Sequence, residues 1–134
     1  MTRITVNVDG GARGNPGPAA IGVVVRDAAG AVLEEHGERI GRATNNVAEY
    51  RALLRGIELA AAHGASELQL IGDSELVVRQ VEGRYKVKDA TMQELHAEVK
   101  RTLEPFDEWS IRHVRRAENA EADRLVNQAL DGAG

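Results

Sequence analysis

"VNVDGGARGNPGPAAIGVVV" (Val6–Val25) joins an alternating stretch to a continuous apolar one through a bend rich in Gly and Pro. From Thr2 to Asp9 the chain places Ile4, Val6 and Val8 on one face and Thr5, Asn7 and Asp9 on the other. That is the period of a half-buried strand, and it ends at Asp9. Gly-rich bends often cradle phosphate. This one lacks the Lys-Ser/Thr step of a P-loop and the G-x-G-x-x-G spacing of a dinucleotide site. After Gly17-Pro18 comes "AAIGVVV", which reads as a strand where either motif requires a helix. The bend therefore closes a hairpin, and the carboxylate at its mouth needs another explanation.

Outward from the hairpin, "DAAG" (Asp27–Gly30) makes a turn and Ala31 to Ile40 returns as a third strand. A helix follows "ATNN", with Tyr50, Leu53, Leu54, Ile57 and Ala61 at helical spacing and Gly64 as its stop. Ser66 to Asp73 is a short buried strand that again ends in Asp. Ser74 to Val81 is a short helix closed by Gly83, and Ala90 to Leu103 a longer one followed by Pro105. Glu108 to Val114 is a fifth strand, and Asn119 to Leu130 a final helix. This order predicts an α/β fold. Its five-stranded mixed sheet has three antiparallel strands, then parallel crossovers, and is flanked by helices.

At 134 residues the chain suits one domain, read here as residues 1–131. Residues 132–134 form a flexible tail that is either a natural end or a boundary to a fused C-terminal domain. Trp109, Phe106, Tyr50 and Tyr85 are the only aromatics, so the core must be aliphatic. There is no cysteine, hence no disulfide and no thiolate metal site, which suits a reducing compartment. No apolar run reaches membrane-spanning length and the N-terminus has no signal core. The expectation is a soluble, cytoplasmic monomer with no membrane partner. A net charge of −4 argues against gripping nucleic acid by bulk positive charge, unless clustered acids are loaded with divalent cations.

Four acids sit at element ends: Asp9, Glu49, Asp73 and Asp123. Each alone has an ordinary explanation. Asp9 before Gly10 is a turn signal, and Glu49 is spaced to complete a capping box with Asn46. Asp73 can cap the next helix, and Asp123 suits a helix start. Together they suggest more, because strand ends and helix starts in α/β sheets gather at one edge. Acids meeting there repel unless cations sit among them. An oxygen-only set favours Mg²⁺, with Mn²⁺ as a substitute, and a pair of ions about 3.5–4 Å apart clamps an in-line phosphoryl displacement.

Four blocks now stand in order: "DGGARGNPGP" (Asp9–Pro18), "TNNVAEYRAL" (Thr44–Leu53), "GDSELVV" (Gly72–Val78) and "NAEADRLV" (Asn119–Val126). In them the chain resembles ribonuclease H type 1 over nearly its whole length. The resemblance implies a ribonuclease H-like fold and cleavage of the RNA strand of an RNA–DNA hybrid, leaving 3′-hydroxyl and 5′-phosphate ends. It implies that Asp9 bridges two Mg²⁺ ions and that Asp123 helps hold the one activating water. Glu49 and Asp73 would hold the ion facing the leaving oxygen. Gly10 and Gly11 would let the backbone approach the 2′-hydroxyl region of the RNA strand. Asn15 would touch the DNA strand, Thr44 and Asn46 would form part of a DNA phosphate pocket, and Asn45 would reach into the minor groove.

Two departures from the family pattern stand out. Its loop His is missing from "RRAEN" (Arg115–Asn119), where Arg115 or Arg116 is the candidate for phosphate contact or product release. His113 falls within the predicted strand, His96 lies on an apolar helix face, and His36 and His63 read as surface residues. The family's basic, Trp-containing protrusion is also missing. "VEGRYKVKDATMQEL" (Val81–Leu95) passes straight to the next helix, with Arg79, Arg84, Lys86 and Lys88 for positive charge. The chain resembles the subgroup lacking both features, some of whose members also accept double-stranded RNA. Salt-sensitive, weak hybrid binding is the expectation. The alternatives are a related metal-dependent nuclease of broader range and a non-catalytic hybrid-binding module. The first strand lacks the Asp-x-Glu pair of proofreading exonucleases, and none of the four acids is missing.

Overall fold

The computed structural model describes residues 2–132. The elements are β1 (Arg3–Ala12), β2 (Gly17–Arg26), β3 (Val32–Ala43), α1 (Asn45–Ala62), β4 (Glu67–Gly72), α2 (Glu75–Val81), α3 (Ala90–Leu103), β5 (Glu108–His113) and α4 (Ala120–Asp131). A 3₁₀ turn, Arg116–Asn119, leads into α4. The sheet order is β3-β2-β1-β4-β5. β1 and β2, and β2 and β3, are antiparallel. β1 and β4, and β4 and β5, are parallel. The mixed five-stranded sheet expected from the sequence is the one observed.

Helices cover both faces, and this explains the run in β2. Ala19 to Val25 are buried without interruption because α1 lies on one side of β2 and α4 on the other. Each fully buried Val or Ile there contributes about 1.5–3 kcal/mol. α4 sits directly on Gly22, where a Cβ would come 2.3 Å from the Ala122 carbonyl oxygen. Arg39 fastens the far end of α4. Its guanidinium donates to the carbonyls of Ala129 (2.8 Å), Leu130 (3.1 Å) and Gly132 (2.7 Å). Cations at a helix C-terminus are favoured by the dipole and by the orphan carbonyls.

Several boundaries differ from expectation, and β2 begins at Gly17, earlier than the expected Ala20. β1 continues past Asp9: Gly10, Gly11 and Ala12 pair with Ile21, Ala20 and Ala19. The alternation vanishes there only because the glycines carry no side chains, while the backbone ladder goes on. β3 likewise runs to Ala43. The segment Arg115–Asn119 is largely the 3₁₀ turn, so α4 begins one residue after the expected Asn119. Of the expected tail, Gly132 receives the bond from Arg39, and residues 133 and 134 lie outside the described residues. No helix among the described residues is long and apolar enough to cross a membrane.

Candidate active site

The chain leaves β1 for β2 on one side and returns as β4 on the other. The crevice beyond the C-terminal ends of β1 and β4 is therefore a topological switch point, where α/β sheets form sites. Asp9 lies near the end of β1 and Asp73 directly follows β4. α1 brings Glu49 to the same place. One carboxylate oxygen from each of Asp9, Glu49 and Asp73 lies within 4.8 Å of the others. Asp123, on α4, lines the same cleft. Its Oδ1 accepts a 3.3 Å bond from Arg116 Nη2.

Local structure aims each acid inward. α1 is capped by Thr44, whose Oγ1 accepts from the Val47 N–H at 3.2 Å. The capping box of Asn46 with Glu49 does not form, because the helix starts earlier than that spacing supposes. Glu49 lies further along α1, and its Oε1 accepts from the Gly10 N–H at 3.0 Å. β4 stops opposite Val8, so Gly10 has no strand partner on that side. α2 is capped by Ser74, through the Val77 N–H at 3.4 Å, and not by Asp73. Asp73 thus lines the cleft without serving as the cap.

Asn119 is a contributor whose role the sequence reading missed. It is 2% exposed, and its Nδ2 donates to the Val8 carbonyl at 2.9 Å and to Asp73 Oδ2 at 3.4 Å. Its Oδ1 accepts from Asn7 Nδ2 at 3.0 Å. One amide thus joins the start of α4 to β1 and to Asp73. The available signals were the Asn that opens the "NAEADRLV" block and Asn7 on the polar face of the first strand.

The electrostatics follow from burial. Desolvation pushes the Asp9 carboxyl far above the ordinary range, and repulsion from Glu49, then Asp73 and Asp123, adds to it. Burial also raises Glu49, and the Gly10 N–H offsets part of that rise. The Arg116 guanidinium is held more firmly protonated, first by Asp123 and then by Asp9 and Asp73. Such a set is unfavourable without compensating positive charge. Its donors are all oxygens, which suits a hard divalent cation such as Mg²⁺.

Of the remaining candidates, Gly10, Gly11, Asn45, Asn46 and Arg116 line the cleft, while Asn15, Thr44 and Arg115 lie outside its lining. A Cβ on Gly10 would lie 2.2 Å from the Ala48 carbonyl oxygen, so Gly10 is what lets α1 touch β1. A Cβ on Gly11 would meet only Val126 Cγ1, at 3.6 Å, and both glycines line the cleft. Asn15 Oδ1 accepts from the Asn45 N–H at 2.9 Å, and Asn45 Oδ1 accepts from the Ala12 N–H at 2.9 Å. The two side chains latch the hairpin bend to the start of α1, and neither bond uses an amide NH₂. Asn45 and Asn46 line the cleft. Arg116 lines it as well, whereas Arg115 is 84% exposed and pairs with Glu118 at 2.9 Å. Of the histidines, His96 bonds to the Gln80 carbonyl at 3.0 Å, while His36 and His63 pair with Glu38 and Glu34.

Residues 7–129 match the family model described as "Reverse transcriptase-like". The ribonuclease HI of Halobacterium salinarum is 46% identical over 131 residues, and its crystal structure superposes with a TM-score of 0.96. The chain belongs to the ribonuclease H type 1 family. The match takes in 98% of this chain and 99% of the solved Halobacterium chain, but 66% of the full-length Halobacterium protein. A second ribonuclease H relative is the N-terminal RNase H domain of Rv2228c from Mycobacterium tuberculosis. It is 45% identical with a TM-score of 0.95, over 99% of this chain and 96% of that one. The full mycobacterial protein is called bifunctional, and this chain spans 36% of its length. A third, LC11-RNase H1, was isolated from compost and solved in complex with an RNA/DNA hybrid. In that complex it is 46% identical with a TM-score of 0.92, over 97% of this chain and 98% of that one.

Proposed function

We propose that this chain is an endonuclease that hydrolyses the RNA strand of RNA–DNA hybrids, leaving 3′-hydroxyl and 5′-phosphate ends. The observation that carries the reading is the meeting of Asp9, Glu49 and Asp73 oxygens within 4.8 Å at the switch point. The hybrid complex of LC11-RNase H1 supports the substrate. Residues 1–131 are read as a single catalytic domain.

Asp9, Glu49, Asp73 and Asp123 are the side chains that would hold two Mg²⁺ ions, with Mn²⁺ as a substitute. When bound, such ions supply neutralisation of phosphate charge and a water of lowered pKa. The protein's own contributions are positional. Gly10 and Gly11 offer a bare strand against which a ribose can lie. The free amide NH₂ groups of Asn15 and Asn45 are donors toward the duplex. Thr44 and Asn46 stand where the α1 N-terminus favours a phosphate. Arg116 supplies positive charge beside Asp123 for phosphate contact or product release, and Arg115 offers an exposed charge next to it.

The test is a hybrid labelled on each strand in turn, with double-stranded RNA as a comparison. It is incubated with wild type in Mg²⁺, wild type in EDTA, and D73N in Mg²⁺. The reading expects internal cuts in the RNA strand in the first case alone, with ends that a 5′-phosphate-dependent exonuclease degrades. Binding without cutting under all three conditions would favour the hybrid-binding module instead.

A further inference from the structure

Gln80 is 4% exposed on α2, among the buried side chains of Val77, Val78 and Val81. A buried amide costs free energy unless its polar atoms are bonded. Gln80 Oε1 accepts from the Tyr50 hydroxyl at 2.5 Å, and Nε2 donates to the Lys86 carbonyl at 3.3 Å. The backbone carbonyl of Gln80 meets His96 Nε2 at 3.0 Å. A residue on α2 is thereby tied to α1, to α3 and to the connector between α2 and α3.

That connector, residues 82–89, has no helix or strand, yet it is fixed along its length. The N–H groups of Arg84 and Tyr85 donate to the Arg79 carbonyl at 2.8 and 3.2 Å. The Lys86 carbonyl takes Gln80, and the Val87 carbonyl takes Gln93 Nε2 at 2.8 Å. Asp89 then caps α3. The connector turns Arg84, Tyr85, Lys86 and Lys88 to solvent, with Tyr85 46% exposed. Glu82 is engaged by Arg79 at 2.8 Å, and among the described residues no ion pair takes Lys86 or Lys88. In a chain of net charge −4 this is a local concentration of basic side chains around an exposed ring. Basic groups beside aromatics suit a nucleic-acid backbone and its bases. Ser74, at the start of α2, lines the cleft of acids. The seven residues of α2, about 10 Å long, lead from that cleft to the connector.

We infer that Gln80 is a positioning residue for substrate affinity: it holds the α2–α3 connector as a preformed basic surface for the phosphate backbone of nucleic acid seated at the acid cluster. The inference rests on the nuclease reading above. Preforming the surface removes an ordering cost that a loose loop would incur on binding.

Wild type, Q80L, R84A/K86A/K88A and the combination are compared on a labelled hybrid in Mg²⁺, from about 50 to about 200 mM salt. The triple variant raises KM and lowers the salt slope of log(kcat/KM) by roughly two to three. Q80L raises KM roughly three- to tenfold with kcat held within about twofold. In the triple background Q80L raises KM no further, since the two act through one surface. Equal effects of Q80L in both backgrounds, or wild-type KM and slope in the triple variant, overturn the inference. The triple variant changes only exposed side chains, so its KM and salt slope can overturn the inference even where Q80L does not fold. Anisotropy with the same hybrid in EDTA separates the two readings. This mutational pattern in binding, without cutting by wild type, counts against the nuclease reading alone.

Discussion

Glu49 Oε1 accepts the N–H of Gly10 at 3.0 Å, at the point where β4 has stopped covering β1. The bond ties the strand that carries Asp9 to the helix that carries Glu49. It depends on contact so close that a Cβ on Gly10 would overlap the Ala48 carbonyl. Gly10 to Ala is therefore expected to destabilise the fold by roughly 2–4 kcal/mol and to abolish activity. Gly11 to Ala meets only ordinary contact and is expected to leave the thermal midpoint within about 2 °C. If Gly11 lies against the ribose, G11A still loses cleavage roughly tenfold or more. Differential scanning fluorimetry alongside kinetics checks both.

Asp9 to Asn should separate stability from function in opposite directions. The carboxyl is buried among acids that repel it. Neutralising it is expected to raise the thermal midpoint of the metal-free protein while lowering kcat by roughly a hundredfold or more. Equal midpoints for wild type and D9N in EDTA would contradict the repulsion described for the site.

The pH dependence has a definite sign. Asp9 and Glu49 hold protons in the folded state at pH values where the unfolded chain has lost them. Between those ranges the folded state binds more protons, so stability falls as pH rises. In EDTA, the urea midpoint is expected to decline from about pH 5 to about pH 8. Added Mg²⁺ is expected to stabilise more at the upper end, because its ligands must be deprotonated. A midpoint that rises over this interval in EDTA would contradict the assignment.

Arg116 and Arg115 should behave differently. Arg116 already compensates Asp123, and Arg115 faces solvent with Glu118. R116A is expected to change both kcat and the Mg²⁺ concentration for half-maximal rate, by roughly threefold or more each. R115A is expected to change neither by more than about twofold. Mg²⁺ titrations of the two variants settle the comparison.

Much of the fold was legible in the residues. The alternation of Ile4, Val6 and Val8 marked β1, and the apolar run after Pro18 marked β2 as a strand. Helical spacing placed α3 from Ala90 to Leu103, as observed. The continuation of β1 through Gly10 and Gly11 was not legible, because a ladder of backbone bonds leaves no side-chain pattern. The caps were misread for a related reason. Thr44, Asn45 and Asn46 are all competent caps; Thr44 takes the role, while the Asn45 oxygen accepts the Ala12 N–H instead. The places of Asp9, Glu49, Asp73 and Asp123 at element ends led to the expectation of four acids at one edge; three of them bring oxygens within 4.8 Å of one another, and Asp123 lines the same cleft. The bond from Arg116 to Asp123, and the parts played by Asn119 and Gln80, depend on distances that only folding creates.

The latch between the hairpin bend and α1 has one more consequence. The oxygens of Asn15 and Asn45 each accept a backbone N–H, and both residues are exposed, so their amide NH₂ groups remain available as donors. Every Watson–Crick pair displays an acceptor on its shallow side, whichever nucleotides compose it. If a hybrid seats here as proposed, donors of this kind would meet an acceptor at every pair and would not distinguish one pair from another.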